Sequence, residues 1–136
     1  MDMLSAMTIS VHGMKVQGDR INLIAQNIAN AGSLPTNPND QPYRRQIIFF
    51  ENDFDRELGL EVVKVDKIDL DESPFGQRYE PGHPAANANG YVQTPNVKTL
   101  IEMQDMKEAR RSYEANLGMI TQATQMYSRT VDLLRG

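Results

Sequence analysis

The two histidines and one acidic run are the residues whose types could support catalysis or metal binding. His12 lies in a segment with helical periodicity and His83 lies in the turn-rich string PGHP. Neither has a second histidine at the H-E-x-x-H or H-x-H spacing of zinc ligands. The acidic run comprises Asp66, Asp69, Asp71 and Glu72. Because the acidic run lacks the order of a calcium-binding EF-hand loop, we expect it to form a charged, solvated strand edge. We expect His12 to be exposed and His83 to lie in a turn.

The remaining motifs and totals argue against several functional classes. The sequence contains no G-x-S-x-G string, no P-loop and no dinucleotide-binding glycine motif. With no cysteine, thiolate metal sites and cysteine nucleophiles are excluded. The net charge is −4, and acidic and basic residues are interspersed along the chain, so the sequence has no basic patch that would bind nucleic acid. The sequence therefore predicts a protein that is not an enzyme, with no cofactor, no metal site and no nucleic-acid partner.

The size and composition indicate one folding unit rich in helix. The chain has 136 residues, 40% hydrophobic residues, eight methionines and no tryptophan. No stretch approaches the roughly 18 apolar residues of a membrane span, and the first residues lack a secretory signal pattern. We expect no membrane insertion, and either a cytosolic location or export without a cleaved signal.

The ends of the chain carry the helical periodicity, in residues 1–30 and 97–136. Spacings of three and four alternate in both segments, as in a heptad seam. Asn96, or Thr99 with Glu102, is expected to cap the second helix. Gly18 interrupts the first seam, which indicates close approach of a neighbour, a required bend or a tolerated surface glycine. The predicted apolar seam residues are Leu4, Met7, Val11, Met14, Ile21 and Ile28 in the first helix, and Met103, Met106, Tyr113, Leu117, Ile120, Tyr127, Val131 and Leu134 in the second.

Residues 31–96 show no helical period and predict a loop and a β-rich insert. The string GSLPTNPNDQP is loop-forming. Strands are expected at 45–50, at 60–70 and, more briefly, near 77–79 and 91–93. The predicted fold class is mainly α with a small β insert, in which the two terminal helices form a coiled-coil hairpin and the whole chain is one structural unit.

Apolar residues also recur on the far sides of the predicted seams. Ile9, Val16 and Leu23 repeat every seven residues in the first helix, and Met119, Met126 and Leu133 do so in the second. A narrow hairpin cannot bury these rows by itself, and burial of each side chain would contribute roughly 1.5 kcal/mol or more. We expect the seam and far-side residues together to pack against other subunits; the alternative is that the far-side rows rest on the β insert.

The most specific strings resemble the axial proteins of the bacterial flagellum, which form its rod, hook and hook-filament junction. RINLIAQNIANAG and QPYRRQIIFF match the N-terminal axial motif, and YEPGHPAANANGYVQTPNV and EMQDMKEARRSYEANLGMI resemble more narrowly the basal-body rod protein C family of the proximal rod. The motif residues are Asn27, Ala29, Asn30, Tyr43, Arg44, Pro95, Asn96, Glu102 and Asn116.

This resemblance implies a structural subunit of the proximal rod, the drive shaft of the flagellum. Such a subunit polymerises helically through its terminal helices, transmits torque and crosses the periplasm as part of the rod. Its implied partners are copies of itself and other rod proteins, with membrane-ring or export-gate proteins at the rod base as further candidates. The resemblance also implies export through the flagellar type III apparatus. The residue pattern alone leaves an alternative, a soluble helical bundle that binds a small ligand or a partner helix.

Overall fold

The computed structural model describes residues 2–136 and places a long helix at each end of the chain, with four strands between them. The elements in chain order are α1 (Met3–Ala29), β1 (Gln46–Asp55), β2 (Leu60–Leu70), β3 (Gly76–Tyr79), β4 (Tyr91–Thr94) and α2 (Thr99–Arg135). Within this described range, no helix combines the length and the apolar character that crossing a membrane requires.

The prediction of a mainly α fold built on a coiled-coil hairpin is wrong. Helix accounts for 47% of the residues and strand for 21%, and the strands form two separate two-stranded sheets. The predicted seams are buried only in part. Leu4 and Val11 of α1 are 69% and 53% exposed and Met103 of α2 is 57% exposed, whereas the other seam residues of α1 are half-buried. The terminal position of both helices is as predicted.

The buried row of α1 mixes polar with apolar side chains, which is why apolar spacing alone misplaced it. Ser10, Val16, Leu23, Ile24 and Asn27 are its buried members. Two of them, Val16 at 3% and Leu23 at 5% exposure, belong to the predicted far-side row. The inference that a single chain cannot cover that row is therefore wrong at these two positions, because the chain buries them itself.

The chain divides into two compact units. Unit 1 comprises Met1–Ile21, Phe49–Lys67 and Lys107–Gly136, and unit 2 comprises Asn22–Ile48 and Ile68–Met106. The helices and the first sheet contribute residues to both units. The prediction that the chain is organised as 1–30, 31–96 and 97–136 within one structural unit stays a prediction.

In unit 1 the two helices approach closely where α1 carries a glycine. A Cβ atom at Gly13 would lie 2.8 Å from Nδ2 of Asn116, so the absent side chain makes room for that asparagine. Nearer the other end of the unit, the guanidinium of Arg20 lies 3.6 Å from the carboxylate of Glu108. Gly13 is next to Asn116 and Arg20 is next to Glu108, so a later residue of α1 contacts an earlier residue of α2. The helices therefore run antiparallel in unit 1. Gly18 has nothing within 4 Å of an added Cβ, so no neighbour within the described chain requires a glycine at this position.

The first sheet is a hairpin formed by β1 and β2. The connecting turn closes through the N–H of Gly59, which donates to the carbonyl of Asp55 at 2.8 Å. Gly59 has a φ of 65°, a conformation that glycine adopts without steric cost. The 60–70 segment forms one strand, and β1 continues to Asp55, five residues beyond the predicted end.

The second sheet lies in unit 2 and pairs β3 with β4. The strands are antiparallel, with Gly76 opposite Thr94 and Tyr79 opposite Tyr91. The rings of Tyr79 and Tyr91 meet edge to face at 5.3 Å. Val92, which is opposite Arg78 in the register, is fully buried. The two short extended pieces predicted in this region are confirmed as this pair of strands.

Neither predicted cap begins α2. The carbonyl of Lys98 accepts from the N–H groups of Ile101 and Glu102, both at 3.0 Å, and so starts the helix. The side chain of Asn96 bonds elsewhere in unit 2, and so does the carboxylate of Glu102. At the start of α2, Asn96 bonds to Arg45 and Asp71, and Glu102 bonds to Asn27 and Arg45.

Candidate functional site: a buried polar junction in unit 2

Asn27 occupies the centre of a hydrogen-bonded cluster near the end of α1. Its side chain is 0% exposed. Nδ2 donates to the carbonyl of Gln46 at 2.9 Å and to Oε2 of Glu102 at 3.2 Å, while Oδ1 accepts from the hydroxyl of Tyr43 at 2.8 Å and from the N–H of Gln46 at 3.0 Å. A primary amide has two donors and two acceptor positions, so all four are used.

Glu102 links this cluster to a cation. It is 1% exposed and lies in the first turn of α2. Its second oxygen, Oε1, accepts from Nε of Arg45. The same guanidinium lies 3.2 Å from the carboxylate of Asp71 and 3.8 Å from that of Asp105. A buried carboxylate needs both a hydrogen-bonded partner and a counter-charge, and Asn27 and Arg45 supply them.

A second layer of bonds fixes the chain just after β2. Arg44 donates to the carbonyl of Asp71 at 2.9 Å, and its guanidinium stacks 4.2 Å from the ring centre of Phe75. Asn96 donates to the carbonyls of Asp71 and Ser73 at 2.9 and 3.1 Å, and accepts from the N–H of Arg45 at 2.7 Å. These side chains thus hold segment 71–73 against the segment that enters β1.

The electrostatics of the cluster agree with its geometry. Burial, and then the negative charge of Glu102, raise the pKa of Tyr43 above its ordinary value of 10.0. The hydrogen bonds from Ser73 lower the pKa of Asp71 below 3.8, and Arg45 adds to that effect. Burial of Arg45 opposes its charge, but the bonds to Glu102 and then to Asp71 raise its pKa overall. The charged forms of Arg45 and Asp71 are therefore the native forms, as expected for a structural cluster.

The local sequence explains why these groups meet. Asn27 is two residues from the end of α1, where side chains begin to face the chain that follows the helix. Residues 43–46 lead into β1 and bond to the end of α1 through Tyr43 and Gln46 and to the start of α2 through Arg45. Every donor and acceptor of Asn27 is occupied, so this amide has no free position for a further ligand. Its chemical capacity is to hold three distant chain segments together.

The structure brings together five of the nine family-motif residues and separates the others. Asn27, Tyr43, Arg44, Asn96 and Glu102 belong to the junction. The remaining four lie as follows: Ala29 is exposed, Asn30 bonds to the carbonyl of Gln26 at 2.8 Å, Pro95 is buried, and Asn116 lies in unit 1 beside Gly13.

Sequence reasoning missed Gln46, Asp71 and Ser73 as members of the junction, because their part is played largely by backbone groups. Arg45 lies within the string QPYRRQIIFF but is not one of the predicted motif residues. Asp71 was assigned to a solvated strand edge and is instead a half-buried partner of Arg45. In the described residues, no three acidic or histidine side chains converge as metal ligands.

The histidines have ordinary surroundings. His12 is half-buried in α1 rather than exposed. His83 lies in a turn, as predicted, where its Nδ1 accepts from the N–H of Ala85 at 3.0 Å. Neither is therefore placed with a second reactive group.

The residues predicted to pack against other subunits fall into three groups by exposure. The exposed ones are Leu4, Val11, Met103, Leu117, Met119, Met126, Tyr127, Leu133 and Leu134. The half-buried ones are Met7, Ile9, Met14, Ile21, Ile28, Met106, Tyr113, Ile120 and Val131. Val16 and Leu23 are buried. Their role in subunit packing stays a prediction, and the exposed group is the part available for it.

Comparison with known proteins finds relatives over the whole chain. Residues 88–133 match the family model described as Flagellar basal body rod FlgEFG protein C-terminal. The flagellar basal-body rod protein FlgC of Agrobacterium fabrum is 46% identical over 136 residues, which cover 99% of this chain and 98% of that protein. The proteins of the same name from Salmonella typhimurium and Borreliella burgdorferi are 37% and 34% identical, covering 98% and 100% of both chains.

Proposed function

The chain belongs to the family of flagellar basal-body rod protein FlgC, and we propose that it builds the rod by packing its terminal helices against other copies and other rod proteins. It is a structural subunit of the flagellar basal-body rod and serves motility. The observation that carries this conclusion is the 46% identity to a rod protein over 99% of the chain. Torque transmission is consistent with such a role, since the subunits of a drive shaft must keep their conformation under mechanical load.

The exposed apolar side chains of unit 1 support packing through the helices. Leu4 is 69% exposed, Met119 55% and Leu133 83%. Large apolar side chains with this much exposure are candidates for an interaction surface. Covering each of these side chains would contribute roughly 1.5 kcal/mol or more, so the driving force for assembly is present on the helices themselves.

The junction supplies the second requirement of a rod subunit, a defined relation between chain segments. Asn27 and Glu102 belong to different helices and are joined directly. Tyr43 and Gln46 bond the intervening segment to Asn27, and Arg45 bonds it to Glu102. A fully satisfied polar cluster specifies one arrangement, because any shift would leave a buried charge unpaired. This cluster is the feature that would keep the two helix ends and the segment between them rigid within the subunit.

The finer points of location and partners are also part of the proposal. The subunit lies in the proximal rod where the rod crosses the periplasm, and it reaches that site through the flagellar type III apparatus. It contacts copies of itself and neighbouring rod proteins, with membrane-ring or export-gate proteins at the rod base as further candidates. It catalyses no reaction. The support is the family relationship together with the apolar helix surface.

Paired substitutions on α2 test the role of this surface. Met119→Glu with Met126→Glu places two charges on exposed apolar positions, while Gln122→Glu with Gln125→Glu adds the same charge at exposed polar positions of the same helix. Each variant is expressed in a strain lacking the native gene. The methionine variant is expected to fold normally by circular dichroism but to abolish swimming and its own recovery in basal bodies. Normal swimming by the methionine variant would refute packing through this surface.

A further inference from the structure

An asparagine–glycine pair in unit 2 is a motif that the proposed function does not explain. Asn89 is the only asparagine in the sequence that is followed by glycine. Because glycine has no side chain to shield its backbone nitrogen, an asparagine in this position loses ammonia more readily than one before any other residue. The side chain of Asn89 is exposed, so water reaches it. The pair is therefore a candidate site of spontaneous deamidation.

The backbone at position 90 requires the glycine of this pair. Gly90 has a φ of 82°, a conformation that other residues rarely adopt. A Cβ atom there would lie 2.9 Å from Cε2 of Tyr79 and 3.1 Å from Cβ of Pro81. Replacement of the glycine would thus disrupt the turn, so protection of Asn89 has to come from the conformation around it.

Asn87 restrains the chain on both sides of the pair. Its carbonyl accepts from the N–H of Gly90 at 2.9 Å, which closes a β-turn over residues 87–90. Its side-chain Oδ1 accepts from the N–H groups of Asn89 and Tyr91 at 2.9 and 3.0 Å. Its own N–H donates to the carbonyl of Tyr91 at 2.9 Å. A single residue therefore holds the backbone N–H groups of the three residues that include the pair.

Deamidation starts at one of the nitrogens that Asn87 holds. The backbone nitrogen of Gly90 loses its proton and attacks Cγ of Asn89, so that a C–N bond forms. The bond from Cγ to Nδ2 breaks, and Nδ2 leaves as ammonia with a proton equivalent to the one lost. Water then adds to either carbonyl of the cyclic imide and opens it to aspartate or isoaspartate. Because the attack needs a free N–H at Gly90 and rotation of the backbone, it proceeds only from conformations in which the turn is open.

We propose that Asn89 is a latent deamidation site and that Asn87 suppresses its reaction by keeping the 87–90 turn closed. The inference does not depend on the proposed function. Isoaspartate at this position inserts an extra backbone carbon just before β4. The carbonyl of Gly90, which accepts from the N–H of Glu80 at 2.9 Å, is then displaced, and the register of β4 on β3 is lost.

Peptide mass spectrometry of the purified full-length chain tests the proposal. The wild type, Asn87→Ala and Asn87→Asp are incubated under identical, mildly alkaline conditions, and aspartate and isoaspartate at position 89 are measured over time. Asn87→Ala removes the Oδ1 acceptor. Asn87→Asp is the matched control, because a carboxylate oxygen accepts the same two N–H bonds. The wild type unfolded in urea gives the unprotected rate, and circular dichroism verifies that the variants are folded.

We expect the folded wild type and Asn87→Asp to react at similar rates, both several-fold more slowly than folded Asn87→Ala and than the unfolded wild type. Equal rates for folded Asn87→Ala and folded wild type overturn the role of Asn87. An unfolded chain that stays unmodified at residue 89 overturns the site itself.

Should Asn87→Ala fail to fold, amide hydrogen exchange of the wild type decides the question. Slow exchange of the N–H groups of Asn89, Gly90 and Tyr91 supports the restraint by Asn87. Exchange as fast as in an unfolded peptide overturns it. Neither experiment depends on rod assembly, so its outcome leaves the proposed function untouched.

Discussion

Asn27 of α1 and Glu102 of α2 are joined by a hydrogen bond of 3.2 Å between two side chains that are 0% and 1% exposed. The pair connects positions that are 75 residues apart in the sequence. Each partner has a further bond that fixes its orientation, from Tyr43 to the amide and from Arg45 to the carboxylate. This relationship makes the two helix ends one structural element of unit 2.

Removal of the amide at Asn27 is expected to destabilise the protein strongly. Asn27→Ala leaves the Tyr43 hydroxyl, both backbone groups of Gln46 and one oxygen of Glu102 short of a partner, and should lower the free energy of unfolding by about 2–4 kcal/mol. Urea denaturation measures the loss. Asn22→Ala, at an exposed position of the same helix, should change it by less than about 0.5 kcal/mol. Equal effects of the two substitutions would contradict the assigned role of Asn27.

Replacing Glu102 with glutamine tests the contribution of its negative charge while its size is kept. Glu102→Gln retains the volume but weakens the bond to Arg45, and we expect a loss of roughly 2 kcal/mol, since a hydrogen bond to a charged group is stronger than a neutral one. Asp105→Asn serves as the control, because its carboxylate lies 3.8 Å from Arg45 and is 32% exposed. That change should cost less than about 1 kcal/mol. A control as costly as Glu102→Gln would place the counter-charge at Asp105.

Acid should weaken the junction through Asp71. Its pKa is lowered in the folded protein, first by Ser73 and then by Arg45. A lowered pKa contributes stability that is complete above the unfolded value of about 3.8 and is lost as the pH falls through the folded value. The wild-type free energy of unfolding should therefore decline below this pH more steeply than that of Asp71→Asn. Parallel pH curves for the two proteins would exclude Asp71 as a contributor.

Two glycines of α1 should respond differently to alanine. Gly18→Ala meets no atom within 4 Å and should stabilise the helix by about 0.5–1 kcal/mol. Gly13→Ala should gain less, because its Cβ would lie 2.8 Å from the Asn116 amide, which must move. In an Asn116→Ala background the two substitutions should give the same gain, which a double-mutant cycle measures. An unchanged difference between them in that background would show that Asn116 is not the obstacle.

The sequence predicts the elements of this fold better than the faces they bury. Three-four spacing located both helices, and α1 and α2 begin and end within a few residues of the expected positions. The same spacing did not identify the fully buried residues of α1, because these include the polar Ser10 and Asn27 and leave Leu4 exposed. In a subunit that assembles, apolar residues are retained on the outside as well, so apolar spacing cannot distinguish the internal side from the external one.

The junction was only half predictable for a related reason. The resemblance to axial proteins selected Asn27, Tyr43 and Glu102 as motif residues, but no local rule pairs residues 75 positions apart. Glu102 was interpreted as a helix cap because a local pattern fits that role. Its bonds to Arg45 and Asn27 exist only in the folded chain. Asp71 bonds to Arg45 through its side chain and to Arg44 and Asn96 through its backbone carbonyl. Tertiary contacts therefore overrode the local interpretation.

The central claim is that this chain is a necessary structural part of the flagellar rod. Deletion of its gene, followed by electron microscopy of isolated basal bodies, tests that claim most directly. We predict basal bodies without a completed rod and non-swimming cells, with both defects restored by the intact gene and neither by a chain lacking residues 103–136. Rods of normal length and frequency in the deletion strain would contradict it.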